Sequence, residues 1–363
     1  MRTHVFIVND TTFPSHLRYL FAGTTAGERE EWMGLLADIN RVRPGDLVVF
    51  YIEATTTVKG GFYGVFQIAD TSPVVFQVSG LAAREPDLGR RLIYRTLLEP
   101  CEVYEQGIPE WEALDKLPVY STEIQWSLIY RKLRGKRGCT PLLPWEGRSL
   151  IDMIRNKNSG NRIADRSSTC GFDWDPQRRV IITTNSRSAY PYARAFSTDL
   201  VAAISDLQRR RRAFEVHLQA YLTSTVGITP ELGPIVGHHV EWFGNEVACG
   251  VGMQKIDILT LCDDGKRREY RLIELKHKPV EPPVVNQVEH YVNWASQDAC
   301  RHLERAFAWN LQPVVVAPAR RIRNWRSVFD AFNGYNRKGI SLPIMYAEFR
   351  VERGTVEIQI VNY

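Results

Sequence analysis

The sequence predicts a two-domain α+β/α/β protein, and three observations carry that reading. The chain has 363 residues, enough for two domains at roughly 150 residues each. Hydrophobic residues make up 44% of it, which implies folded cores rather than general disorder. The first half is rich in aromatic strand-like segments, whereas the second runs helix, strands, then helix and strand again, as a small mixed sheet requires.

Taken in order, residues 4–9 (HVFIVN) predict a first strand. "REEWMGLLADINRV" (29–42) predicts a helix, because Trp32, Leu35, Ile39 and Val42 recur at helical spacing. "GDLVVFYIEA" (45–54) and "GGFYGVFQIA" (60–69) predict two strands joined by a polar turn. Strand side chains alternate, so Phe50 and Tyr51 cannot both point inward. "SLIDMIRNK" (149–157) predicts a short helix capped by Ser149. The Asn-, Ser-, Gly- and Arg-rich stretch from 156 to 175 marks a boundary, so residues 1–157 are expected to form one domain, 158–197 a linker and 198–363 a second domain. A long helix is predicted from about 198 to 222, where Leu200, Ile204, Leu207, Phe214, Leu218 and Tyr221 keep helical steps. Strands follow near 236–243, 254–262, 268–276 and 313–317, with a helix over 284–308 and a closing hairpin over 345–363 turning at Arg353-Gly354.

No apolar run reaches the roughly 18 residues that suggest a membrane span. The six cysteines are scattered, with no CxxC pair, so neither a zinc ribbon nor a disulfide framework is signalled. A reducing, cytoplasmic setting is the expectation. Net charge is only +5, but the basic residues cluster. Arg131, Lys132, Arg134, Lys136 and Arg137 fall within seven residues, and Arg209 to Arg212 run consecutively. Arg320, Arg321 and Arg323 make a third group. Three basic clusters on separate elements favour a nucleic-acid partner, with Arg209, Arg212 and Arg320 among the phosphate contacts. Successive helical residues splay by about 100°, so only one or two of the four consecutive arginines can face a groove.

The most informative stretch is "KIDILTLCDDGKRREYRLIELKHK" (255–278). Asp257 and Glu274 lie on either side of the predicted turn 263–267. With that turn centred near Gly265 they come opposite one another in an antiparallel pair, where facing residues are about 4.5–5.5 Å apart. Two carboxylates so close repel unless a positive charge joins them, and a divalent cation such as Mg²⁺ accepts oxygen ligands near 2.1 Å. Lys276 shares a strand face with Glu274 and is placed to orient a water or offset charge on a phosphate. Ile256, Ile258, Ile273 and Leu275 flank the acids, which suggests a buried hairpin, where charge is rare unless paired or metal-bound.

"KIDIL…IELK", followed by "QVEHY" (287–291), resembles the PD-(D/E)XK nuclease superfamily, with the QxxxY pattern of its RecB-type members. Together with "FEVHLQAYL" and "PVVVAPA" (313–319), the series is similar to the C-terminal nuclease domain of NucS-type endonucleases over about 205–363. The resemblance implies a restriction-endonuclease-like mixed sheet flanked by helices. It implies Mg²⁺ or Mn²⁺ held by Asp257, Glu274 and the carbonyl of Leu275, with Lys276 assisting the attacking water. By the same likeness Glu215 is a further metal-associated acid, and Gln287 and Tyr291 position the lysine or the phosphate. His277 and His290 have no zinc spacing and are expected to stand behind these groups or face DNA.

The aromatic strands around "RPGDLVVFY" and "GGFYGVFQI" resemble the PUA-like superfamily, EVE domains in particular, over about 1–155. That likeness implies a β-barrel that receives a modified or flipped base, with Trp32, Tyr51, Phe62, Tyr63 and Trp126 as candidate stacking faces. The combined expectation is a Mg²⁺-dependent endodeoxyribonuclease of restriction or host-defence type, directed by modified-base recognition and plausible as a homodimer for double-strand cutting. Two alternatives stand beside it: a NucS-like enzyme acting on mismatched or branched DNA, and a non-catalytic nucleic-acid-binding protein with a degenerate nuclease fold.

Overall fold

The computed structural model describes residues 1–25, 32–56, 59–79, 83, 88, 91–116, 138–195, 199–249, 254–302, 309–319, 325–352 and 354–363. The chain divides into two compact units, Met1–Ser197 and Thr198–Tyr363. Among the described residues no helix is long and apolar enough to cross a membrane.

The first unit contains strands β1 (Thr3–Val8), β2 (Phe21–Thr25), β3 (Leu47–Ile52), β4 (Gly61–Ile68), β5 (Phe76–Gln77), β6 (Leu92–Pro100), β7 (Glu102–Val103), β8 (Ile108–Pro109) and β9 (Cys139–Leu142). Helices α1 (Phe13–Tyr19), α2 (Trp32–Ile39), α3 (Glu110–Lys116) and α4 (Pro144–Lys157) are interspersed. The main sheet has the order β2-β6-β4-β3-β1-β9, with β5 on β6 and β8 on β4. The expected barrel is observed as a curled half-barrel whose strand path stays open among the described residues. The β1–β3 pair is parallel, and the intervening helices make the crossover that such a pair needs.

All six residues of β3 are buried, because both faces of the sheet are covered. Phe50 packs on Phe13 and Phe66 at ring distances of 5.4 and 5.8 Å. Tyr51 packs on Phe62 at 5.0 Å, in a core shared with Val5, Val49, Leu150 and Ile154. The alternation holds, but each direction leads into a core. Helix α4 begins five residues before Ser149. Pro144 occupies its first turn, where a missing N–H costs nothing, and Glu146 accepts the Leu143 N–H at 3.2 Å.

The segment expected as a linker is structured. Strand β10 (Ala164–Asp165) pairs with β7, and β11 (Gly171–Asp175) pairs with β12 (Val180–Thr184) as a hairpin. Phe172, Trp174 and Ile181 are buried, and Trp174 packs edge-on against Phe13 at 5.1 Å and Tyr63 at 4.9 Å. Few apolar residues among many polar ones gave the stretch a loop-like composition, yet those few alternate into the core.

In the second unit the long helix is two: α5 (Leu200–Arg209) and α6 (Glu215–Thr225). Arg211 takes the left-handed conformation at φ 56°, the Arg211 N–H donates to Gln208 O at 3.1 Å, and the Arg212 N–H donates to Leu207 O at 2.9 Å. Those two bonds are a Schellman stop, with arginine where glycine is usual. A six-stranded sheet follows in the order β13 (Val240–Ala248), β14 (Lys255–Asp263), β15 (Arg268–Leu275), β16 (Trp309–Pro318), β17 (Met345–Glu352) and β18 (Thr355–Ile360). The β15–β16 and β16–β17 pairs are parallel and are crossed by α7 (Val284–His302) and α8 (Trp325–Asn336). Val314 to Ala317 are fully buried, as the apolar run of a central parallel strand predicts. Ile204, Leu218 and Leu222 of the paired helices pack on Ile258, Ile273, Leu275 and Val316 of the sheet.

Candidate active site

The turn between β14 and β15 closes on Gly265 at φ 80°, with Asp264 Oδ1 accepting the Lys266 and Arg267 N–H groups at 2.8 and 2.6 Å. That turn fixes the register from Asp263–Arg268 back to Ile258–Ile273, the last pair of the ladder. One step further the register sets Asp257 opposite Glu274, where the strands part. The Leu275 N–H donates to Asp257 Oδ2 at 2.8 Å. The acid therefore takes over a backbone donor at the open end of the hairpin.

Glu274 is 4% exposed, and both of its oxygens are held. Lys276 Nζ donates to Oε1 at 2.5 Å, and the Tyr291 hydroxyl is 2.9 Å from Oε2. Lys276 Nζ also donates to Gln287 Oε1 at 2.9 Å. Gln287 and Tyr291 are four residues apart on α7, so one helix face reaches both the lysine and the glutamate. Tyr291 Oη lies 2.9 Å from the Lys255 carbonyl as well. Asp257, Glu274, Lys276, Gln287 and Tyr291 thus meet at one place.

Burial and then the Glu274 charge push the Asp257 carboxyl well above its ordinary range; the Leu275 N–H works the other way, Glu215 adds to the rise and Lys276 opposes it. Burial and the Glu274 charge also raise the Tyr291 phenol, which keeps it a donor. Glu215 opens α6 and accepts the His277 N–H at 3.1 Å, with His277 Nδ1 at 2.9 Å from the same oxygen. His277 therefore stands behind the acids, whereas His290 Nε2 is 3.3 Å from the Cys249 carbonyl.

Two amides in this network were not anticipated. Gln219 Nε2 donates to the Asp257 carbonyl at 2.9 Å, and Asn245 Nδ2 donates to Gln219 Oε1 at 3.2 Å. Gln219 follows Glu215 by four residues, and that spacing was the only signal for it.

Of the oxygens that the nuclease resemblance names as ion ligands, the structure brings the carboxylates of Asp257 and Glu274 together beside the Leu275 backbone. An all-oxygen set suits a hard cation such as Mg²⁺ or Mn²⁺. Among the described residues no group of three or more His, Cys, Asp or Glu side chains is placed to hold a metal. Arg209 and Arg212 are exposed, and Arg209 pairs with Asp206 at 2.5 Å.

In the first unit Tyr51 and Phe62 are each 1% exposed and belong to the core, so neither presents a face to a base. Tyr63 is buried beside Trp174, with the Arg179 guanidinium 6.0 Å from each of the two rings. Buried aromatic strands look alike in sequence whether they line a pocket or fill a core. The side chain of Trp32 and all of Trp126, Arg131, Lys132, Arg134, Lys136, Arg137 and Arg320 lie outside the described residues.

No family model matches the chain, and no curated protein matches it. Solved structures similar to its N-terminal part include human THYN1 protein in complex with DNA containing 5-methylcytosine, at 9% identity and TM-score 0.31, covering 42% of this chain and 98% of that one. A hypothetical protein from Leishmania major matches at 10% identity and TM-score 0.31, covering 43% of this chain and 96% of its own. A protein from Pseudomonas syringae matches at 12% identity and TM-score 0.29, covering 42% and 99%.

Proposed function

We propose that this chain is an endodeoxyribonuclease dependent on Mg²⁺ or Mn²⁺ and directed to DNA by a modified base read by its first unit, as in restriction or host defence. The observation that supports the nuclease reading is the meeting of Asp257 and Glu274 at the open end of β14 and β15, with Lys276, Gln287 and Tyr291 bonded around Glu274. Burial and the Glu274 charge disfavour ionisation of Asp257, and Lys276 opposes that rise. Asp257, Glu274 and the Leu275 carbonyl would hold the ion, which when bound polarises a phosphate oxygen and acidifies a water.

The protein's own groups do the rest. Tyr291 fixes one oxygen of Glu274. Lys276 spends two of its three hydrogens on Glu274 and Gln287 and has one left for a phosphate oxygen or the attacking water. Gln287 holds the ammonium in that direction. In the hydrolysis a water oxygen bonds to phosphorus, the bond from phosphorus to one sugar oxygen breaks, and a water proton ends on the leaving oxygen. The modified-base part of the reading rests on the likeness of the first unit's strands to EVE domains.

The test is cleavage of a matched panel: unmodified duplex, duplex with modified cytosines such as 5-methylcytosine, and mismatched duplex, each with Mg²⁺, Mn²⁺ or EDTA. Cutting of the modified duplex alone, abolished by EDTA and by Asp257→Ala, is expected. Cutting of only the mismatched duplex would move the reading to repair. No metal-dependent cutting of any substrate would leave a binding protein.

A further inference from the structure

Gln219 and Asn245 are amides in an apolar interior: Gln219 is 4% exposed and Asn245 is fully buried. Burying an amide costs free energy unless its hydrogen bonds are made. These two bond in series, from Asn245 to Gln219 to the main-chain carbonyl of Asp257, at 3.2 and 2.9 Å. The series runs from the edge strand β13 through α6 to the acid-bearing strand β14.

The backbone beside it is unusual. Asn245 pairs with Ile258 and Val247 with Ile256, so Glu246 lies across from Asp257. Glu246 takes φ 46° in mid-strand, a left-handed conformation that is unfavourable for a non-glycine residue. On its other side Asp257 faces Glu274, beyond the last pair of the β14–β15 ladder. The acid therefore sits where regular pairing fails on both flanks.

We infer that Gln219, backed by Asn245, is a positioning residue that fixes the main chain of Asp257 so that its carboxylate stays opposite Glu274. The inference rests on the metal-dependent reading of this site and adds to it a support from α6. Helix α6 then serves the site twice on one face, through Glu215 on His277 and through Gln219 on Asp257. Partners that orient metal-binding groups from behind typically alter metal affinity or activity by 10–100-fold when removed.

The experiment is a titration of the full-length protein with Mn²⁺, free ion read by electron paramagnetic resonance, without DNA. Gln219→Met, which keeps size and loses the donor, is expected to weaken Mn²⁺ binding about 10-fold or more. Asn245→Ala, which leaves Gln219 in place, is expected to weaken it less. Circular dichroism and DNA affinity in EDTA should match wild type in both. A variant with a lowered melting temperature but wild-type Mn²⁺ affinity would overturn the positioning role. If Gln219→Met does not fold, Asn245→Ala decides by the same affinity criterion. Failure of the wild type itself to bind Mn²⁺ would instead overturn the metal-dependent reading, and this inference with it.

Discussion

Asp46, buried in the first unit, and Asp257, half-buried in the second, are aspartates that the fold drives in opposite directions. Asp46 accepts the Arg2 and Arg43 N–H groups at 3.1 and 3.0 Å and lies 3.0 Å from His4 Nε2. Burial works to raise its pKa, but His4 and Arg2 outweigh burial and hold the carboxyl below its ordinary value. Around Asp257 burial and Glu274 act together, and the carboxyl rises. At Asp46 the chain supplies hydrogen-bond donors that hold the carboxylate, although burial lowers the pKa of His4 itself. The other site gathers Asp257 and Glu274 beside a single lysine, and burial and like charge act on Asp257 in the same direction.

The contrast can be broken or sharpened by measurement. The largest effect is expected in catalysis. Glu274→Ala should remove detectable cleavage, and Lys276→Ala should lower kcat by roughly 10²–10³, the scale seen when one electrostatic donor is lost. Cleavage assays on the modified duplex read both, and wild-type rates in Lys276→Ala would remove the lysine from the mechanism.

Next comes pH. His16 is buried and donates its Nδ1–H to the Phe21 carbonyl at 2.9 Å, and burial lowers its pKa to about 4. Its folded pKa lies below the unfolded value, so its contribution is full above about pH 6.5 and is lost as pH falls toward 4, on the order of 3 kcal/mol. Asp257 has the opposite sign: its carboxylate is disfavoured in the fold, and lowering pH toward its raised pKa relieves that cost. Hydrogen exchange resolved by peptide should therefore show the first unit losing protection and β14 gaining it between pH 7 and pH 5. Parallel changes in the two units would contradict the comparison.

Asp46→Asn comes third. It removes a charged acceptor from two N–H groups and should cost about 2 kcal/mol in a denaturant titration at pH 7. The smallest effect belongs to the α5 stop. Arg211→Gly relieves a left-handed arginine and should stabilise the second unit by about 0.5–1 kcal/mol, with cleavage unchanged.

The acid pair was legible because a short turn with one glycine fixes the register of everything beyond it, and QxxxY fixes a helix face. The break between α5 and α6 was not, because Leu207, Phe214 and Leu218 keep helical steps across a stop that depends on one backbone dihedral. The β11–β12 hairpin was missed because Phe172 and Trp174 are sparse among polar residues. Gln219 was missed because its one mark, a four-residue step from Glu215, does not say what the amide will bond. Tyr51 and Phe62 looked like pocket walls because the covering of both faces of β3 is decided by α1 and α4, remote in sequence.

The account turns on the unbalanced acids around Asp257, and calorimetric unfolding of wild type and Asp257→Asn with and without Mg²⁺ tests it most directly. Without metal, Asp257→Asn should unfold at a higher temperature than wild type. With millimolar Mg²⁺ the wild type should rise and the variant should not. A wild type indifferent to Mg²⁺, or a variant less stable than wild type in EDTA, would contradict the proposal that Asp257 and Glu274 together hold a divalent cation.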